Sequence, residues 1–183
     1  SKILKWSYRA PFSVVIATQD GAGAEIWMKK ALSKNVPRKT LLNGVDLSIN
    51  PKSVQINKNT SKNKFIITFI GRLEVDKAPD RFVEAFLKVR NKIPNKFHCF
   101  IIGSGSMKQK LINMINRENA MNDVTFFSDM NHSSIYYLLD KTDIYVSLNR
   151  MGNLSNTNIE AMIMGKTIIM PKSQVKKGID IYT

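Results

Sequence analysis

The fold is decided by one stretch of the chain, Phe65-Ile-Ile-Thr-Phe-Ile-Gly-Arg-Leu-Glu-Val-Asp-Lys-Ala-Pro-Asp80. Its first six residues are an apolar and β-branched run of strand length, and a glycine ends the run. A charged loop follows. Pro79 then suits the first position of a helix, where its missing N–H would have had no partner. The stretch therefore predicts a buried strand, a polar turn and a helix in direct succession.

The same succession recurs along the rest of the chain. Further strand candidates are His98–Ile102, Val124–Phe127, Ile144–Ser147 and Thr167–Met170. Consecutive candidates begin 20 to 33 residues apart, which suits a parallel strand–helix–strand unit. Apolar residues in the intervals repeat at helical spacing, so those segments are predicted to be amphipathic helices whose apolar faces form the core. We therefore predict an α/β fold with a Rossmann-like, doubly wound parallel sheet.

Serine residues provide start signals for two of these helices. Ser106-Met-Lys-Gln109 fits a capping box, in which the serine and glutamine side chains bond to backbone N–H groups. Ser133 or Ser134 can cap the next helix. We therefore expect both helices to begin at a serine.

Residues 1–42 are predicted to form a separate piece. Phe12–Ala17 has the pattern of a strand and Ala22–Leu32 that of a helix. One strand and one helix cannot bury a core, so we expect a remnant of a neighbouring domain. Residues 43–64 are predicted to be a linker that ends in a basic loop. Residues 65–183 then form the main domain, which we expect to be truncated because no closing helix follows Met170.

The composition restricts the classes of partner. The 183 residues include 28 Lys and Arg against 14 Asp and Glu, which gives a net charge of +14. Such a surplus favours an anionic partner: nucleic acid, an acidic lipid surface or a phosphorylated small molecule. Scattered lysines fit a solvated surface equally well. No apolar run reaches ~18 residues, and there is no signal-peptide pattern and only one cysteine, so a cytoplasmic location is predicted.

One group of candidate ligand-binding residues follows the first strand of the main domain. Open α/β sheets bind ligands at the carboxyl ends of their strands. There Gly71 would let the backbone approach a ligand, and Arg72 and Lys77 would converge on one phosphate group. The alternative is a surface loop in which Arg72 pairs with Glu74 or Asp76.

A second group lies in the small, polar loop before the last predicted helix. Free N–H groups of Ser155, Asn156 and Thr157 would point toward an anion at the helix start. Glu160 would lie in the first turn and accept hydrogen bonds from the vicinal hydroxyls of a ribose, or equally well close a capping box with Thr157. Gly103 follows another strand, where it suits a phosphate loop and a tight turn equally.

Metal binding is not predicted. His98 and His132 are lone histidines without a cluster of Cys, His or Asp around them, and the chain has no Asp-x-Asp pair. Nucleic-acid binding has no support beyond charge, because no zinc-finger, Arg-Gly or ribonucleoprotein signature occurs.

Taken in order, these segments resemble the family 4 glycosyltransferases, which have the two-domain GT-B fold. The resemblance rests on Asn43-Gly-Val-Asp46, the block from Gly71 to Phe86, Ile102-Gly-Ser-Gly105, Asp143-Ile-Tyr-Val-Ser147 and the segment from Glu160 to Lys166. It covers nearly the whole chain, and most of that corresponds to the family's C-terminal, donor-binding domain. Residues 1–42 correspond to a fragment of the N-terminal, acceptor-binding domain.

The resemblance implies a role for each candidate. Arg72 and Lys77 would hold the donor diphosphate, and Glu160 would hold the ribose hydroxyls. Backbone amides from Leu154 to Thr157 would contact the β-phosphate and the sugar, and backbone near Met130 would contact the base.

The implied reaction is transfer of a hexosyl or N-acetylhexosaminyl group from a UDP-sugar, with retention at the anomeric carbon and without a metal or cofactor. The implied acceptor is a polyprenyl-diphosphate-linked saccharide or lipopolysaccharide, in the synthesis of bacterial O-antigen or capsule. Gly152 stands where the family has its first glutamate, so the donor sugar is left open. The net charge of +14 suits docking on an anionic inner leaflet, and we expect these 183 residues to bind nucleotide without transferring sugar.

Two other functions are kept as alternatives. A UDP-sugar epimerase of the GT-B type would need further carboxylates and histidines from outside this chain. A basic, nucleic-acid-binding α/β domain would show a steep dependence of DNA affinity on salt and no preference for UDP.

Overall fold

The computed structural model describes residues 8–19, 23–46, 48, 50–56, 64–128, 130–150 and 154–171. The chain divides into two compact units. The first comprises Ser1–Val45, Met151–Asn156 and Lys172–Thr183, and the second comprises Asp46–Arg150 and Thr157–Pro171. The second unit thus begins within the segment that the sequence predicts to be a linker.

The first unit has a strand that the sequence does not predict. Its described elements are β1 (Val15–Gln19), α1 (Ala24–Ala31) and β2 (Arg38–Leu42), and β1 pairs with β2 in parallel. The strand β2 escapes prediction because its first two residues, Arg38 and Lys39, are basic and interrupt the apolar pattern. The first unit therefore has a second strand in addition to the strand and helix predicted for residues 1–42.

The second unit contains a five-stranded parallel sheet. Its elements are β3 (Phe65–Ile70), α2 (Pro79–Lys92), β4 (Phe97–Ile102), α3 (Lys108–Arg117), β5 (Val124–Phe127), α4 (His132–Asp140), β6 (Ile144–Val146), α5 (Asn156–Ile163, which begins at the boundary between the units) and β7 (Thr167–Ile169). The strand order is β5-β4-β3-β6-β7, and every neighbouring pair is parallel. The predicted fold class is confirmed, and each of these strands begins and ends within one residue of its predicted position.

The strand order reverses beside β3. From β3 the chain moves outward through β4 to β5, and it then returns to β6 on the other side of β3. Ile67 accordingly lies opposite Cys99 in β4 and opposite Ile144 in β6. A reversal of this kind opens a crevice at the carboxyl ends of the two central strands. The two predicted ligand-binding loops follow those two strands, β3 and β6.

The core consists of apolar layers on both faces of the sheet. On one face α2 and α3 contribute Phe82 and Leu111, which pack with Phe69 and Ile101 of the strands. On the other face the helices α4 and α5 contribute buried residues of two smaller clusters, Leu138, Leu139 and Ala161. Burying one Phe or Leu side chain contributes about 1.5–3 kcal/mol. The prediction that the apolar helical faces are core is confirmed for α3 and α4, whose apolar faces are mostly buried. It is wrong in part for the other two helices, because Val89 of α2 and Met162 and Ile163 of α5 remain exposed. No described helix combines the length and apolar character that crossing a membrane requires.

The helix α3 does not begin with the predicted capping box. Its N-cap is Met107, which makes no side-chain cap, and the helix proper begins at Lys108. Ser106 instead donates to the carboxylate of Glu74, from its backbone N–H at 2.8 Å and from its hydroxyl at 2.7 Å. The predicted capping box is wrong because Ser106 bonds to Glu74, in the loop after β3, and not to the backbone of its own helix.

The helix α4 begins earlier than the serines indicate. Its N-cap is Asn131, whose side-chain oxygen accepts from the N–H of Ser134 at 2.9 Å. Ser133 and Ser134 therefore lie inside the first turn, and a serine cap is wrong here too. The position of Pro79 as the first residue of α2 is confirmed.

Candidate functional site

Backbone hydrogen bonds join the loop after β3 to the loop after β4. The N–H of Gly71 donates to the carbonyl of Ile102 at 3.0 Å, and the N–H of Leu73 donates to that of Ser104 at 2.8 Å. The N–H of Met107 in turn donates to the carbonyl of Leu73 at 3.0 Å. The loop that carries Arg72 is therefore fixed on both sides of that residue.

The close approach of these loops explains two glycines. A Cβ on Gly103 would lie 2.1 Å from the carbonyl oxygen of Gly71, and a Cβ on Gly105 would lie 2.5 Å from that of Leu73. Gly103 also has a φ of +139°, which side-chain-bearing residues rarely adopt. The tight turn is thus sufficient reason for Gly103, and its contact with a phosphate stays a prediction.

Arg72 and Lys77 converge on one oxygen atom. The Nη2 atom of Arg72 lies 3.0 Å from Oδ2 of Asp76, and Nζ of Lys77 lies 3.8 Å from the same oxygen. The pairing of Arg72 with Asp76 is the one that the surface-loop alternative anticipates, whereas Glu74 binds Ser106 instead. Hydrogen bonds from Ser106 also hold the pKa of Glu74 below its usual value. The loop therefore presents two cationic groups to one anion, which in this structure is a carboxylate.

A further backbone bond joins the loops after β3 and β6. The N–H of Arg150 donates to the carbonyl of Asp76 at 2.9 Å. The backbone of the loop after β3 is therefore attached to the chain at Arg150. Gly152, the position of the missing family glutamate, lies outside the described residues.

The amide candidates lie at the start of α5. This helix begins at Asn156, so Asn156 and Thr157 belong to its first turn, while Leu154 and Ser155 precede it. Leu154 is buried, with 3% of its surface exposed. The N-terminal end of a helix has a positive electrostatic field and suits an anion. Contacts from these amides to a ligand stay predictions.

Glu160 is buried and bonded to another helix. Its side chain is 4% exposed, and its Oε1 atom lies 2.8 Å from Nε2 of His132, the first residue of α4. The helix begins at Asn156, so Thr157 lies inside it and is not the N-cap that a capping box with Glu160 requires. Glu160 is the fifth residue of α5, so the prediction that it lies in the first turn is wrong, because the helix begins one residue before Thr157, at Asn156. The bond of Glu160 to His132 connects α5 to the first turn of α4.

His132 belongs to a polar cluster at the start of α4. Its ring packs edge-on against Tyr136 with 5.1 Å between centroids, and the hydroxyl of Tyr136 donates to the carbonyl of Asp46 at 3.1 Å. Burial and the negative charges of Glu160 and Asp46 raise the pKa of Tyr136, so its hydroxyl stays a donor at neutral pH. Hydrogen bonds from Ser48, with a smaller effect from His132, lower the pKa of Asp46.

Met130 lies in the loop after β5, directly before this cluster. Its side chain packs against the apolar layer around Phe100 and Leu138. His132 follows two residues later, so the segment predicted to contact the base also carries the partner of Glu160. Sequence reasoning missed His132 as a site residue because it considered metal binding alone. The available signal was its place just after a strand's carboxyl end.

The other histidine lies elsewhere. His98 is in β4, one residue after the strand begins, where its Nε2 atom bonds to the hydroxyl of Thr125 at 2.9 Å. Among the described residues, no group of three or more His, Cys, Asp or Glu side chains could hold a metal ion.

Comparison with known proteins identifies relatives for most of the chain. Residues 52–177 match the family described as glycosyl transferases group 1. Two uncharacterized glycosyltransferases of Methanocaldococcus jannaschii are 25% and 24% identical over 168 and 149 residues, which cover 90% and 74% of this chain. The chain spans only 41% and 38% of the length of those two relatives.

Solved structures of other proteins share the fold. The HepE protein of Anabaena, crystallised with UDP and glucose, gives a TM-score of 0.71 at 18% identity over 92% of this chain and 47% of its own. A variant of TarM from S. aureus, crystallised with UDP among other ligands, gives 0.64 at 21% identity over 93% and 32%. The C-terminal domain of LpcC from Francisella tularensis gives 0.57 at 19% identity over 71% of each chain. At these identities the likeness shows the fold, a GT-B parallel α/β sheet.

Proposed function

Because the chain belongs to the group 1 glycosyl transferases, we propose that its second unit binds the diphosphate of a nucleotide-sugar donor at the carboxyl ends of β3 and β6. The observation that carries the proposal is the convergence of Arg72 and Lys77 on one oxygen of Asp76, at 3.0 and 3.8 Å. UDP is the nucleotide we favour, since HepE and TarM were both crystallised with it.

The chemistry required of this site is the stabilisation of a leaving group. When the bond between the sugar and the diphosphate breaks, negative charge accumulates on the diphosphate. Arg72 offers a planar fork of N–H donors and Lys77 a compact charge, and both are already oriented toward one anion. The diphosphate takes the place of the Asp76 carboxylate between them. The diphosphate carries more negative charge in the transition state than in the bound substrate. Two cations held in place therefore stabilise the transition state more strongly than the substrate, which lowers the barrier.

The remaining candidates complete the donor site in our proposal. The N–H groups at the start of α5, from Leu154 to Thr157, face the β-phosphate and the sugar. Glu160 accepts from the ribose hydroxyls, and backbone near Met130 contacts the base. Support for this arrangement comes from the link between Glu160 and the segment after Met130 through His132.

The whole protein's activity is a broader proposal. We infer transfer of a hexosyl or N-acetylhexosaminyl group, with retention and without a metal, to a lipid-linked saccharide of bacterial surface polysaccharide. The first unit would be part of an acceptor-binding domain, because the chain spans less than half the length of its curated relatives. The net charge of +14 supports peripheral docking on an anionic membrane from the cytoplasmic side.

Calorimetric titration of the 183-residue chain with UDP tests the donor site. Changing Arg72 and Lys77 to alanine together should weaken UDP binding by about 100-fold, because two charge-assisted contacts are lost. The matched control changes Lys88 and Arg117, two exposed cations on α2 and α3, and so removes the same net charge. That control should leave the affinity within about threefold of the parent. Equal UDP affinity in the parent and the Arg72/Lys77 variant would refute the proposal.

A further inference from the structure

Glu160 is bonded to His132, a residue to which the proposed donor site gives no role. Its side chain is 4% exposed, and its partner among the described residues is the imidazole of His132, at 2.8 Å. A carboxylate has only acceptors, so the shared hydrogen belongs to Nε2 of His132. That bond uses one of the about four acceptor positions that a carboxylate has.

His132 is itself well supported. It is the first residue of α4, directly after the N-cap Asn131. Its ring packs edge-on against Tyr136, and Tyr136 is 6% exposed and anchored by its hydroxyl to the backbone of Asp46. The imidazole therefore has a defined position, although 51% of its side chain remains exposed. His132 thus lies between the buried Tyr136, which its ring contacts, and the carboxylate of Glu160, to which it bonds.

We propose that His132 is a positioning residue that orients Glu160 for a ribose ring and so makes the site select ribonucleotides over 2′-deoxyribonucleotides. The inference rests on the proposed function, in which Glu160 accepts from the ribose. It adds a residue and a selectivity to that function.

The physical reason is the geometry of a vicinal diol. The 2′- and 3′-hydroxyls of a ribose point in fixed directions, so both can donate to one carboxylate only when the carboxylate plane is correctly rotated. The glutamate side chain has three torsions, and the bond from His132 to Oε1 restricts them. A carboxylate that is free to rotate contacts one hydroxyl almost as readily as two. Selectivity for the 2′-hydroxyl is therefore lost before binding itself is lost.

The experiment compares UDP with 2′-deoxy-UDP by calorimetry on the 183-residue chain. The parent should prefer UDP by about tenfold or more, as expected for one hydrogen bond to a charged group. In His132→Ala the preference should fall below about threefold, mainly through weaker UDP binding. His132→Gln should restore most of it, because a glutamine amide can donate from nearly the position of Nε2, whereas the shorter His132→Asn should not.

Two further variants separate positioning from a structural role. In a Glu160→Ala background, the additional change His132→Ala should leave the ratio of the two affinities unaltered, because His132 acts through Glu160. Ser133→Ala, the next residue of α4, is the matched control and should behave as the parent. Urea unfolding of each variant measures stability, which a merely structural contact would change without changing the ratio. If His132→Ala does not fold, the ratio of the two affinities in His132→Gln is compared with that in His132→Asn. Equal ratios in these two variants would overturn the role of His132.

The outcomes distinguish the inference from the function beneath it. A parent that prefers UDP, with His132→Ala retaining the full preference, overturns the role of His132 and leaves the donor site intact. A parent with no preference between the two nucleotides overturns the selectivity. A parent that binds neither nucleotide refutes the proposed function, and this inference with it.

Discussion

His98 is a buried base with one unsatisfied nitrogen. It is 1% exposed, its ring packs edge-on against Phe100, and its Nδ1 atom has no hydrogen-bond partner among the described residues. Burial, together with the nearby charge of Lys64, lowers the pKa of His98 from 6.5 to about 4, although Asp123 opposes part of the shift. The folded protein therefore holds His98 neutral at pH values where the unfolded chain protonates it.

This residue makes stability depend on pH between 4 and 6.5. Its contribution is complete above the unfolded pKa of 6.5 and is lost as the pH falls toward the folded value of about 4. Each pH unit corresponds to about 1.4 kcal/mol, so between pH 7.5 and 5.0 we expect the free energy of unfolding to fall by about 1–2 kcal/mol. Urea titrations at the two pH values measure this difference.

The variant His98→Gln should lose most of that dependence. Carboxylates with unfolded pKa values near 4 stay ionised in this window and add little. If the parent and His98→Gln lose equal stability between pH 7.5 and 5.0, the coupling to His98 is wrong.

The proximity of Arg72 and Lys77 can be predicted from the sequence because the signal is local. Both residues lie in one short turn after an apolar strand, and both lie near one oxygen of Asp76, at 3.0 and 3.8 Å. That they bind a phosphate stays a prediction. The pair of His132 and Glu160 is not local, because 28 residues separate them. Only the return of β6 beside β3 brings their helices together, and a single sequence contains no sign of that contact.

At the level of elements, Asp123 joins three segments of the second unit. Its carboxylate accepts from Nζ of Lys64 at 2.8 Å and from Nε of Arg90 at 2.9 Å. Lys64 directly precedes β3, Arg90 lies in the last turn of α2, and Asp123 directly precedes β5. Desolvation raises the pKa of Asp123, but the hydrogen bonds from the two cations outweigh it and the pKa is lowered.

Removing the charge of Asp123 should therefore destabilise the unit. The Asp123 side chain is 9% exposed, and its partners Lys64 and Arg90 are 19% and 25% exposed, so Asp123→Asn leaves two partly buried cations without a counter-ion. We expect a loss of about 2 kcal/mol, less than for a fully buried pair. Asp140→Asn is the control, because the Asp140–Lys141 pair is about half exposed and should contribute under ~1 kcal/mol. Chemical denaturation that finds equal losses would contradict the argument.

The strands were easier to predict than the helix starts. A buried strand such as β4 needs an apolar run, and that run is visible in the sequence. The start of a helix depends on which side chain accepts hydrogen bonds from the first backbone N–H groups of that helix. Asn131 takes that role from two serines in α4, and Glu74 engages Ser106 across the β3 and β4 loops. Such contacts depend on the tertiary arrangement, so the local pattern predicted the wrong caps.

On the scale of the whole second unit, the residues that the structure describes leave part of one face of the sheet uncovered. A cavity of about 330 Å³ lies beside β6 and β7 on the side of α2. Its lining is apolar and includes Phe82, Phe86, Val89, Ile144, Val146 and Ile169. Two of these residues remain exposed, Val89 by 38% and Ile169 by 51%. Sequence patterns identify apolar residues, but they do not show which of them the packing leaves open.

We expect this cavity to bind a neutral, apolar fluorescent dye such as Nile red in the folded chain. An apolar cavity of this size accommodates a small aromatic molecule, whose fluorescence rises when it leaves water. Changing Val89 and Ile169 to lysine places charges on two of its walls and should lower the dye signal at least by half. Because both positions are exposed, the melting temperature should change little. The matched control changes Met162 and Ile163 of α5 to lysine, since these apolar residues are similarly exposed but do not line the cavity. If both double variants reduce the signal equally, the dye binds elsewhere.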